Sequence, residues 1–184
     1  HRLIDLFETI IKTHTVVILS EYVRHNNLSE SAKGLLSQGL RTPSLGTWQL
    51  FGRVLFEELQ QEQLQWFLPS FAKAFAELDK ALNQEKTNVI AFRNGYAHGA
   101  TPSDHDCEKD IQKFEPFLKK ILQFSWLQET SLIEKEGKVF LRANGNDLSL
   151  HPILLFRDEN HEASFAFFND IKNIANFYIL IYLK

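Results

Sequence analysis

The 184 residues are 44% apolar and 23% charged, with a formal net charge of -3. That composition excludes a disordered chain, and the mild acidity argues against a broad nucleic-acid footprint, which needs a clustered basic face. One cysteine, Cys107, excludes an internal disulfide and a cysteine-built metal framework, and points to a reducing, cytoplasmic setting.

The N-terminal stretch 2–23 carries Leu3, Leu6, Phe7, Ile10 and Ile11 at three- and four-residue steps, which predicts an amphipathic helix with those side chains inward. A second helix is expected over 29–39, opened by Ser29 as cap and closed by Gly39. The period returns over 44–65 through Leu45, Trp48, Phe51, Leu55 and Leu59. Pro69 then suits the first turn of a further helix, with Phe71, Phe75, Leu78 and Leu82 on one side. Trp48, Trp66 and Trp126 lie on apolar stripes and are expected in the core.

Residues 87–98 read as a short helix with Val89, Ile90 and Phe92 as its apolar side and Gly99 as its stop. Ser103 is a good cap for the next helix, since acids come after it in the first turn. That helix should turn Ile111, Phe114, Leu118, Ile121 and Leu122 inward, and Pro116 should bend or split it. Lys113, Lys119 and Lys120 form a basic patch that reads as a solvated face.

Near residue 130 the period shortens to that of strands. "SLIEKEGKVFL" is a candidate hairpin around Glu136 and Gly137, and "NGND" and "DENHE" read as turns. Four or five short strands are expected between 131 and 183, with 170–183 open to either strand or helix. His151, before Pro152, reads as an ordinary strand residue. The expected fold class is α+β: a mainly helical bundle over 1–128, then a small β-rich subdomain over 129–184. A start at His1, the lack of methionine and an end inside an apolar run lead us to expect a piece of a longer protein. No run of about eighteen apolar residues that would span a membrane occurs, so no membrane association is expected.

The chemistry-bearing stretch is "RNGYAHG", 93–99. Arg93 and His98 are five apart, roughly 140° around an ideal helix, whereas Asn94 and His98 share a face. A second helix or a second copy of the chain could bring the cation pair onto one phosphate. Arg93 keeps its charge and offers a planar fork to phosphate oxygens. His98 would sit in a last helical turn, where the dipole favours imidazolium and so a general acid. Gly95, mid-helix, loses about 1 kcal/mol against Ala, which asks for a use such as close approach of another backbone. In the plainer reading, His98 binds terminal carbonyls and Arg93 pairs with a nearby acid. His105 with Asp104, Asp106 and Cys107 has the composition of a metal cluster, but consecutive residues point in different directions. No metal and no cofactor are expected.

"RNGYAHG" resembles the R-x4-H signature of HEPN domains. "TPSLGTWQLF", "RNGYAHGATPSDHDCEKDI" and "FEPFLKKIL" resemble the N-terminal regions of some large prokaryotic signalling and defence proteins. In those, such a bundle precedes a kinase, ATPase or other effector module, and "LHPILLF" and "FAFFND" are similar to the segment that adjoins the bundle on its C-terminal side. The likeness spans about residues 40–180. It implies a metal-independent endoribonuclease working as a homodimer that joins two copies of the motif, with RNA or a nucleotide as ligand. His98 would act as general acid or base, Arg93 would stabilise transition-state charge, and Asn94 would orient the phosphate or the histidine. Tyr96 could stack on or bond a base, though core packing suits it better. Many HEPN domains only bind nucleotides or join partners, so a non-catalytic docking module of a larger protein is the alternative the resemblance leaves open.

Overall fold

A computed structural model describes residues 2–25, 29–31, 44–84, 87–97, 103–136, 138–157, 163–167 and 179–182. They form a mainly helical α+β chain. Its helices are α1 (Arg2–His25), α2 (Leu45–Gln61), α3 (Pro69–Leu82), α4 (Val89–Ala97), α5 (Asp104–Leu122) and α6 (Ser125–Glu129). Five strands complete it: β1 (Thr130–Lys135), β2 (Lys138–Ala143), β3 (Asn146–Arg157), β4 (Ala163–Phe167) and β5 (Ile179–Tyr182). The change from helix to strand falls at Thr130. The second expected helix, over 29–39, and the "DENHE" turn lie largely or wholly outside the described residues.

Packing divides the chain into two compact units, one of His1–Ile10 with Leu68–Glu129, the other of Ile11–Phe67 with Thr130–Lys184. Among the described residues the first has helices and no strand, and it contains the motif helix. Pro69 opens α3 at its first turn, where its missing N–H would be unpaired anyway. Phe71, Phe75, Leu78 and Leu82 are all buried, so the three-and-four spacing read from the sequence is the buried face. Phe71 meets Trp126 of α6 edge-on at 5.0 Å between ring centres, and Ser70 Oγ donates to Glu129 Oε2 at 2.7 Å. Phe7 of α1 packs on Phe114 at 5.1 Å and on Phe117 at 5.9 Å.

Two expectations for α5 are corrected. Its buried residues are Phe114, Phe117 and Ile121, whereas Ile111 and Leu122 are 55% and 67% exposed and Leu118 is half-buried. The helix carries two apolar stripes roughly 90° apart; the stripe bearing the phenylalanines, with more area to hide, is the one turned inward. Pro116 does not split the helix, which runs unbroken from Asp104 to Leu122. Pro116 and Gln112, whose carbonyl loses its i+4 donor, are both exposed, so water can serve that oxygen. Ser103 caps α5 in a capping box with Asp106.

In the second unit α1 is buried all round from His14 to Tyr22. At the other end of the helix, in the first unit, Leu6, expected inward, is 42% exposed, and its neighbour Phe7 is the fully buried side chain. Two hydroxyls within the buried stretch bond to α2: Thr15 Oγ1 donates to Trp48 O at 3.1 Å and Tyr22 OH to Glu58 Oε2 at 2.6 Å. Glu21, 1% exposed, accepts the Phe67 N–H at 2.8 Å and the Arg24 Nη2 at 3.0 Å. Burial pushes its carboxyl above the usual range, and Arg24 opposes that shift. On α2, Leu45, Trp48, Phe51, Leu55 and Leu59 are buried as expected, and Ser44 Oγ accepts the Thr47 N–H at 3.1 Å as its cap. The helix ends at Gln61, earlier than the expected 65, because Gln63 adopts a left-handed backbone with φ 52°. Trp66, expected in the core, therefore lies beyond the helix in the connection to α3, half-buried, with its ring 5.5 Å from Phe56.

The sheet is an antiparallel meander in the order β1-β2-β3-β4-β5. Positive φ at Asn144 (50°) and Gly145 (77°) makes the two-residue turn that joins β2 to β3, closing at the pair Ala143 and Asn146. Burial alternates along β2, with Val139, Leu141 and Ala143 inward. Pro152 falls where the register between β2 and β3 shifts, between the pairs Phe140–Ser149 and Lys138–Leu154, an irregularity of the kind that accommodates a residue without an N–H. Of the segment left open to strand or helix, 179–182 is strand.

Candidate functional site

The motif helix is fixed from its first turn. Asn88 Oδ1 accepts the Ala91 N–H at 2.9 Å, an N-cap bond, and Val89 is fully buried. Phe92 and Tyr96, one turn apart, face α5. Their rings meet edge-on at 5.0 Å, and Phe92 lies 4.7 Å from Phe114. The Tyr96 hydroxyl donates to Asp110 Oδ2 on α5. That bond holds the phenol proton, and with partial burial pushes the Tyr96 pKa up to about 12. At ordinary pH the phenol is a neutral donor already engaged by a carboxylate.

With that side held, α4 turns Ala91, Asn94 and Gly95 outward. Arg93 is half-buried, and Asn94 and Gly95 are exposed. Arg93 Nη1 reaches Asn94 Oδ1 at 3.4 Å, a long contact. The guanidinium has five N–H donors in a fork, so this contact leaves most of its capacity for an anion. A Cβ added at Gly95 would meet nothing within 4 Å. No backbone among the described residues thus uses the close approach that a mid-helix glycine allows. His98 and Gly99 lie outside the described residues, as does the cap expected at Gly99.

The acidic first turn of α5 is exposed throughout, Asp104, His105, Asp106 and Cys107 alike. Asp106 is engaged in capping: its Oδ2 accepts from Ser103 Oγ at 2.7 Å and from the Ser103 N–H at 3.2 Å, which lowers its pKa. Among the described residues no group of three His, Cys, Asp or Glu side chains is arranged to hold a metal. The basic patch on α5 is partly neutralised: Lys119 pairs with Glu115 at 2.7 Å and Lys120 with Glu77 at 3.0 Å. Lys113 lies over the Phe114 ring at 5.0 Å.

Asp110 is the residue that sequence reasoning missed. Nothing in the linear pattern links it to Tyr96, because the two meet only when α4 and α5 pack. Asn88 was missed too, although an Asn directly before an apolar helical run is a signal for an N-cap. Among the described residues no helix is long and apolar enough to cross a membrane. Comparison with protein-family models, with curated proteins and with solved structures finds no match to this chain.

Proposed function

We propose that the chain is a HEPN-type domain acting as a metal-independent endoribonuclease, its site composed at a homodimer interface from Arg93, Asn94 and His98 of two copies. The substrate ribose 2′-OH attacks the adjacent phosphate; the O2′–P bond forms as the P–O5′ bond breaks. One His98 imidazole accepts the 2′-OH proton, and the other, as imidazolium, donates a proton to the leaving O5′. Arg93 stabilises the added charge on the phosphoryl oxygens. The observation that carries this reading is the anchoring of α4 through Phe92 and Tyr96, with Asn94 and Gly95 exposed beside Arg93. A second copy or a strand of RNA can reach that face.

The outward apolar residues Ile111 and Leu122 on the neighbouring helix favour a second reading, a non-catalytic module that dimerises or docks a partner within a larger protein. Cleavage of single-stranded RNA in EDTA separates the two. Wild type should cleave, and Arg93→Ala and His98→Ala should each lose activity by about a hundredfold or more. Wild type without activity, or three proteins cleaving alike, would leave the docking reading.

A further inference from the structure

The dipeptide Asn-Gly occurs twice in the chain, at 94–95 and at 144–145, in two different backbone settings. An asparagine followed by glycine is open to deamidation, because no Cβ shields the glycine nitrogen from the side-chain amide before it. The reaction needs that nitrogen to swing onto the asparagine Cγ, which a regular backbone prevents. Gly95 lies within α4, where its N–H goes to the carbonyl of Ala91 and Asn94 is held in helical geometry. Asn144 and Gly145 instead form the whole turn between β2 and β3. The ladder closes at Ala143 and Asn146, so the Gly145 N–H serves none of its rungs. Both turn residues are exposed and both have positive φ, 50° and 77°. Space does not separate the two pairs, since a Cβ built on either glycine would meet nothing within 4 Å. Backbone bonding does.

We infer that Asn144 is a site of spontaneous modification, at which the amide is converted to aspartate and isoaspartate, while the helix keeps Asn94 intact. The Gly145 nitrogen gives up its proton and bonds to Asn144 Cγ. The Cγ–Nδ2 bond breaks and ammonia leaves with that proton, giving a five-membered imide. Solvent water then opens the ring. Breaking the bond from Cγ to the Gly145 nitrogen gives aspartate; breaking the bond from the main-chain carbonyl to that nitrogen gives isoaspartate, whose main chain is longer by one carbon. Aspartate, like asparagine, tolerates the left-handed backbone at 144. Isoaspartate lengthens a two-residue turn whose geometry sets the register of the strands it joins. The rung next to the closing pair is Arg142 with Asp147, bonded at 2.8 Å, and Asp147 also accepts from Lys135 of β1. Lengthening the turn therefore weakens this ion-pair cluster together with the ladder. Protection at 94 keeps a carboxylate away from Arg93, which the Asn94 side chain contacts at 3.4 Å.

Incubation of the chain at mildly alkaline pH, which speeds loss of the amide proton, tests it when followed by tryptic mapping. Cleavage after Arg93, Lys109, Arg142 and Arg157 puts the two pairs on separate peptides, 94–109 and 143–157. In the folded protein the 143–157 peptide should gain the mass of an amide-to-acid change, assigned to 144 by fragmentation, and split into aspartate and isoaspartate forms. It should do so several times faster than 94–109 changes. In urea the two should convert at similar rates, since only the fold distinguishes them. Aged wild type should unfold at a lower urea concentration than Asn144→Asp, which carries the same added charge on an ordinary backbone. No readout depends on RNA cleavage, so failure of the nuclease reading leaves this one standing. Equal rates in the folded chain, a lead for Asn94, or conversion to aspartate alone would overturn the inference. A 143–157 peptide that stays unchanged while the unfolded chain converts, or a lead that persists in urea, overturns it as well. Aged protein as stable as Asn144→Asp would refute the effect on the hairpin.

Discussion

Phe114 is the residue on which the position of the motif helix most depends. Its ring is fully buried, 5.1 Å from Phe7 and 4.7 Å from Phe92, so it joins the first turns of α1, the motif helix α4 and its own helix α5. Phe114→Ala removes six ring carbons from a site walled by two other rings, which cannot collapse inward without moving a helix. Large-to-small substitutions of buried phenylalanine lose about 3–5 kcal/mol. The two ring contacts, each worth about 0.5–1.5 kcal/mol beyond area, place this site in the upper half of that range. Against a total stability of about 5–15 kcal/mol, that is roughly a quarter or more. Urea unfolding monitored by circular dichroism measures the loss, and Phe114→Leu, which keeps much of the volume, should fall about 2 kcal/mol short of the alanine effect. Amide exchange in 89–97 should quicken by more than exchange in α2, which belongs to the other unit. A loss under 1 kcal/mol, or uniform quickening along the chain, would refute Phe114 as the support of α4.

Tyr96→Phe should lose about 1–2 kcal/mol, as for a bond to a charged acceptor. Because the folded pKa of Tyr96 is raised from 10.0 to about 12, its stabilisation is complete below pH 10 and fades as pH rises through the folded value. Asp110→Asn should bring one phenol's ultraviolet titration back toward pH 10; an unchanged curve would count against the bond. Glu21→Ala strands the Phe67 N–H and takes the carboxylate from Arg24, which keeps its bond to Gln65 O, and should lose about 3 kcal/mol, while Glu21→Gln, which still accepts that N–H, should lose clearly less. Since burial raises the folded pKa of Glu21 above 4.5, the native state binds its proton more tightly, and this group's penalty should ease as pH falls through the folded value. Glu21→Gln should remove that component from a plot of melting temperature against pH. Asp147 runs the other way. Arg142 at 2.8 Å and Lys135 hold its carboxyl far below 3.8, so its stabilisation is present above that value and is lost as pH falls. Asp147→Asn should flatten the acid limb of the same plot.

Much of the fold could be read from local chemistry. Pro69 at a first turn, Ser103 as a cap and the Asn144–Gly145 turn are each set by backbone geometry that a few neighbouring residues impose. The stripes of α2 and α3 were readable because on each of these helices one face carries most of the large apolar side chains. α5 was not, since it has two, and periodicity cannot say which of them faces the core. Leu6 misled for the same reason, as part of an apolar cluster wider than the surface available to cover it. Gln63 ended α2 early through a left-handed backbone that a glutamine side chain does not announce.

At the candidate site the division is similar. By itself the sequence determined that a short helix carries Arg93, Asn94 and Tyr96, because apolar period is a local property of the chain. Tertiary structure alone decided that Tyr96 turns to Asp110 and not to solvent, that Asn94 and Gly95 stay outward, and that the stripe of Ile111, Leu118 and Leu122 is left on the surface. Those outcomes depend on which faces compete for one limited core. That competition is settled by the summed area and shape of several helices, which no window of sequence contains.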